Sequence, residues 1–141
     1  MIHDLDSTIE RILYERGRLS RTEIEISFEL PNGDWSARLS RPTLNCWAYD
    51  IRENLKLRNA AMRVTQQNGI ATRHLNYRRY DLSYLITAWA RKIEDQHQLL
   101  WRALSALSQI PILPVSMCDG ALRSQPHDIP VVLANMQDSP V

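Results

Sequence analysis

The stretch "RPTLNCWAYDIRENLKLRN", residues 41–59, changes character at its midpoint. Its first half is dense and apolar and carries Trp47 and Tyr49. From Asp50 onward it is crowded with charge. Within residues 43–51, Leu44, Cys46 and Ala48 share one face of a strand. Asn45, Trp47, Tyr49 and Ile51 share the other. Apolar side chains on both faces predict a central strand covered on two sides. Residues 82–90, "LSYLITAWA", repeat the pattern, with Tyr84 and Ile86 opposed to Leu85 and Trp89. The two segments are expected to pair as antiparallel neighbours with aromatics facing across them. Trp47, Tyr49, Tyr84 and Trp89 are thereby assigned to the structural core.

The link between these strands, residues 52–81, is too long for a tight turn. It holds Arg52, Lys56, Arg58, Arg63, Arg73, Arg78 and Arg79 against Glu53 and Asp81. That is seven cations against two acids, a local +5 in a chain of net +1. Asn68-Gly69 inside it is a strong hairpin-turn signal.

Outside this region the pattern is simpler. Residues 3–16 read as an amphipathic helix with Leu5, Ile9, Ile12 and Leu13 on one face. Asp4 or Asp6 is its expected cap and Gly17 its stop. Residues 24–30 alternate, with Ile24, Ile26, Phe28 and Leu30 against Glu23, Glu25, Ser27 and Glu29, and read as a strand with one wet face. "PNGD" is then expected to turn the chain. Residues 94–109 form a second helix with a stripe of Leu99, Leu100, Ala103, Leu104 and Leu107. Pro111 and Pro114 keep the next segment extended. Residues 129–134 read as a last short strand, with Pro130 placing it at an edge or a strand start. A free tail is expected over 135–141.

The reading is one α+β domain over 1–134, a small, largely antiparallel sheet flanked by two helices, with a long basic excursion at 52–81. The chain has 141 residues, 44% hydrophobic and 23% charged, which fits a single domain with a real core. No apolar run approaches the roughly 20 residues needed to cross a bilayer. The first ten residues lack the apolar run of a signal peptide. Cys46 and Cys118 lie far apart in apolar surroundings and read as small buried hydrophobes.

Chemistry is sparse. His3, His74, His97 and His127 stand in four separate segments, and none has a His or Cys neighbour at metal-ligand spacing. There is no CxxC, no GxSxG and no phosphate-cradling glycine loop. Glu23, Glu25 and Glu29 read as a solvated strand face. The expectation is a protein that is not an enzyme and uses no cofactor. The basic excursion admits three readings: a solvated loop, a nucleic-acid track with Tyr77 and Tyr80 stacking on bases, or a protein contact. The near-neutral whole chain argues against nucleic acid. The protein contact is preferred, with Arg52, Arg58, Arg63, Arg73, Arg78 and Arg79 as interface candidates and Tyr77 and Tyr80 as anchors.

Four stretches together carry a family resemblance. They are "MIHDLDSTIERIL", "ISFELPNGDWSARLSRPTLNCWAYDIREN", "RRYDLSYLITAWA" and "EDQHQLLWRALSAL". In this order, over about residues 1–115, the chain resembles the N-terminal domain of the tail-cap, or tail-terminator, protein of extracellular contractile injection systems. These are phage-tail-like particles of the antifeeding-prophage and Photorhabdus-virulence-cassette type. The sequence departs from the pattern after the extended segment, where 120–141 is short. The resemblance implies a structural ring, a homo-hexamer, that closes sheath and inner tube at the end opposite the baseplate. It implies assembly in the bacterial cytoplasm as part of such a particle. A baseplate or adaptor subunit of the same particle is the alternative.

Overall fold

The computed structural model describes residues 1–58, 63–74 and 77–134. The tail expected at 135–141 lies outside the described residues. The chain is α+β. Its residues group into two compact units. The first comprises Met1–Trp47 and the chain from residue 86 onward, and the second is Ala48–Leu85.

The first unit is built on two helices, α1 (Ile2–Arg16) and α4 (Ile93–Ser108), which pack against each other. The predicted periodicity accounts for α1, whereas on α4 the buried face lies to one side of the expected stripe and leaves Leu100 and Leu104 exposed. Ile12 and Leu13 of α1 are buried, as are Leu99, Ala103 and Ala106 of α4. Neither expected aspartate caps α1. Met1 occupies the cap position, and the Asp4 carboxylate instead accepts from the Ala121 backbone N–H at 3.3 Å. Gly17 ends the helix as expected, but in ordinary right-handed geometry, and the left-handed residue is Arg18 at φ 52.

The polar flank of α1 ties down the segment after α4. Thr8 Oγ1 accepts from Asp119 N–H at 2.9 Å, and Arg11 pairs with the Asp119 carboxylate at 3.2 Å while donating to the Met117 carbonyl. Beneath these polar contacts Ile12, Ile110, Leu113, Cys118 and Leu122 form an apolar cluster. The short strands β6 (Ile112–Leu113) and β7 (Ile129–Pro130) pair antiparallel at its edge. The last strand is thus real but two residues long. One further bond runs from the Val131 N–H to the Pro111 carbonyl at 2.9 Å, and Pro111 has no N–H to return it.

A three-stranded sheet runs β1–β2–β5, where β1 is Glu25–Ser27, β2 is Thr43–Glu53 and β5 is Tyr80–Trp89. β2 is therefore the central strand. β1 pairs with it in parallel, Ile26 opposite Leu44. The Asn54 N–H donates to the Arg79 carbonyl at 2.8 Å, which sets the end of β2 beside the start of β5, the antiparallel arrangement expected for that pair.

The strand expected over 24–30 is shorter than its alternation. Local side-chain bonds end it. Ser27 Oγ accepts from Glu29 N–H, and the buried Asn45 amide donates to the Glu29 carbonyl at 2.8 Å. Leu30 is consequently exposed. "PNGD" is not a turn but the start of a helix, α2 (Gly33–Ala37). Asn32 caps it, its side-chain oxygen accepting from Trp35 N–H at 2.8 Å. The cap drives Trp35 inward, where it is buried and meets Trp89 edge to face, ring centroids 5.3 Å apart. Trp89 is half-buried in this contact, and Trp47 and Tyr84 are also half-buried. Tyr49 does not belong to the core. Burial along β2 is complete over Thr43–Cys46 and then fades, leaving Tyr49 37% and Ile51 51% exposed.

Cys46 and Cys118 are both buried and free. Burial pushes the Cys46 thiol up to about 12, with Asp6 and Glu10 adding to the effect. Burial, with Asp119 nearby, also raises Cys118. A raised thiol pKa keeps the unreactive protonated form. Native protein at pH 8 is therefore expected to give almost no reaction with a thiol-disulfide reagent over minutes, and both thiols should appear on adding denaturant. Fast titration of either thiol in the folded chain would contradict this burial.

Candidate protein–protein interface

The second unit, Ala48–Leu85, contains the whole basic excursion. β2 leaves the buried region and continues to Glu53. Asn54 then caps a single turn, α3 (Leu55–Arg58), its side-chain oxygen accepting from Leu57 N–H at 3.1 Å. The same Asn54 amide donates to the Asp81 carboxylate at 3.3 Å. One side chain thus pins the exit and the return of the excursion. Beyond it, β3 (Arg63–Gln67) and β4 (Ile70–His74) form the hairpin that Asn68-Gly69 predicted. Asn68 at φ 55 and Gly69 at φ 78 are both left-handed, as a type I′ turn requires.

The structure brings part of the predicted site together. Tyr77, Arg78, Arg79 and Tyr80 run consecutively into β5, beside Asn54 and two residues from Arg52 on the neighbouring strand. Tyr77 is 61% and Tyr80 54% exposed. Arg78 is exposed, and Arg79 is half-buried with its carbonyl held by Asn54. Arg52 is exposed, and its Nε donates to the Asp50 carboxylate at 2.9 Å, so its charge is partly answered within its own strand. Arg63 and Arg73 occupy neighbouring rungs of the hairpin, opposite His74 and Val64. Arg58 closes α3. The side chains of Arg58, Arg63 and Arg73 lie outside the described residues.

One feature of this unit went unread in the sequence. Among its described side chains none is buried. Ile51, Leu55, Ile70 and Leu85 are exposed together with both tyrosines. The signal was present in "IRENLKLRN", where Ile51, Leu55 and Leu57 are interleaved with charge and no apolar face is long enough to make a core.

The chain matches the family described as Pvc16 N-terminal domain over residues 4–139. That span covers nearly the whole chain, including the segment after residue 120 where the sequence had looked short for the family. The chain belongs to this family. Pvc16 is a Photorhabdus virulence cassette protein, and the family points to a component of a contractile injection particle. No curated protein and no solved structure matches the chain. No helix among the described residues is long and apolar enough to cross a membrane.

Proposed function

We propose that the chain is a structural cap, acting without catalysis, that terminates sheath and inner tube at the end of the particle opposite the baseplate. It does so as a ring, six-membered by the family resemblance. Assembly onto the tail takes place in the bacterial cytoplasm. The observation that carries the reading is the 48–85 unit. It has defined hydrogen bonding, apolar and aromatic side chains, and a basic charge, yet none of its described side chains is buried. A two-stranded hairpin is marginal alone in water. Such a unit gains most from burial against another protein, where aromatic and arginine side chains supply the anchoring contacts.

The physics of a terminator suits this division. Head-to-tail contacts between identical rings propagate without limit unless a subunit stops them. A stopper needs one face that docks on the last ring and another that does not imitate it. A well-packed unit joined in one chain to a separate contact unit meets both needs. Deleting the chain from a producing strain should give sheath and tube of uncontrolled or unstable length in electron micrographs. Particles of normal length and stability would rule the cap out and leave the adaptor alternative.

A further inference from the structure

Helix α4 carries a second surface that the proposed cap contact does not use. Its outward stripe is apolar: Ile93, Leu100, Trp101 and Leu104 are exposed, Trp101 by 68%. Beside the C-terminal half of this stripe lies an open groove lined by Arg16, Gly17, Arg18, Trp101, Arg102 and Ser105. The arginines are held there: Arg102 donates to the Arg18 carbonyl at 3.1 Å, and Arg16 reaches Gln109 Oε1 at 3.5 Å. The first turn of the same helix is acidic, with Glu94 and Asp95 both exposed. One helix face therefore has an apolar centre, a groove with three arginines at one end, and Glu94 and Asp95 at the other, where the exposed Arg91 and Lys92 precede them.

From this polarity we infer that two free copies of the chain pair through α4, antiparallel about a two-fold axis near Leu100. The register follows from helix geometry. Glu94 lies six residues before Leu100, and Ser105 in the groove lies five after it. Across a two-fold at Leu100 the two come level to within about 1.5 Å along the axis. Around the helix they differ by about 20°, so both sit on the same flank of the stripe. The two-fold thus sets Glu94 of one copy at the arginine groove of the other, twice, with Leu100 and Trp101 covered between them. A parallel pair would set the two Glu94 residues level and leave each about eleven residues of helix from the partner's groove. The contact is isologous and closes on itself, so it is separate from any head-to-tail ring contact and describes the chain before it joins a tail. It does not depend on the cap reading.

A 16-residue helix buries less than the ~800 Å² per partner of a standard interface. The pair should be weak, with a dissociation constant on the order of ten to a few hundred micromolar. Sedimentation equilibrium of the full chain tests it. The weight-average mass should rise from 16.4 kDa toward twice that value as concentration crosses this range. Leu100→Glu with Trp101→Glu should abolish the rise. Glu94→Lys alone, and Arg16→Glu with Arg18→Glu, should each weaken pairing by roughly tenfold or more. An equimolar mixture of those two charge variants should restore it, because each copy then meets its complement at both ends. These positions are exposed, and an unchanged circular-dichroism spectrum confirms folding. A mass that stays at one chain throughout, a rise indifferent to the Leu100 and Trp101 changes, or a mixture no better than its components overturns the proposal.

Discussion

Reversing charge at Arg52, Arg78 and Arg79 together, each to Glu, is expected to remove the chain from purified particles while leaving its own fold intact. The three residues belong to the 48–85 unit, where Asn54 ties the strand of Arg52 to Arg79, and Tyr77 and Tyr80 on either side of Arg78 and Arg79 are exposed. Interface arginines and tyrosines commonly cost more than 1 kcal/mol each when truncated, and reversal adds like-charge repulsion wherever the arginine had met an acid. The combined loss should exceed about a hundredfold in affinity. Stability should barely move. In the Arg52–Asp50 pair the arginine is exposed and the aspartate half-buried, and the pair contributes about 1 kcal/mol at most. Arg79 serves the fold through its backbone carbonyl, which the substitution keeps. Tyr77→Ala with Tyr80→Ala should give the same phenotype by removing the apolar anchors. The readout is the amount of the chain that co-purifies with assembled particles, against its melting temperature in isolation. Normal incorporation of the triple variant would remove the unit from the contact.

The second large effect falls on stability. Leu13→Ala should cost about 3 kcal/mol, within the usual 2–5 for a leucine removed from a closed core. Leu13 is fully buried on α1, the helix that packs against α4. Whole domains are stable by only about 5–15 kcal/mol, so this is a large share, equivalent to a fall of roughly 10 °C in melting temperature. Leu85→Ala should change stability by less than about 1 kcal/mol, because Leu85 is 48% exposed. Denaturant midpoints of the two variants check the contrast. Equal losses would mean that the division between a packed body and an exposed contact unit is false.

That division was partly legible. The helical periods of 3–16 and 94–109, the Asn68-Gly69 hairpin and the central strand from Thr43 are local patterns, and they survived folding nearly unchanged. The failures are positions where a side chain competes with the backbone. Ser27 and Asn45 cut β1 short by claiming Glu29. Asn32 turns "PNGD" into a helix cap and buries Trp35, which an asparagine three residues ahead of a tryptophan allows a reader to suspect. Tyr49 was placed in the core because alternation marks which face a residue takes, not where the cover over that face ends. The exposed stripe of α4 has the same origin. Leu100 and Leu104 lie within the predicted apolar stripe, and only the packing against α1 reveals that the burial centres to one side of it, on Leu99, Ala103 and Ala106. For the interface, charge and aromatics located the region. What sequence periodicity could not supply was the joint held by Asn54, which sets residues 77–80 beside Arg52 across 27 residues of chain.

The cap reading meets its most direct test in an image reconstruction of the intact particle. The account predicts a closed ring of this chain at the end opposite the spike, with residues 48–85 pressed against the last layer of sheath or tube. Density for the chain at the baseplate, or a far end that lacks it, would contradict the account.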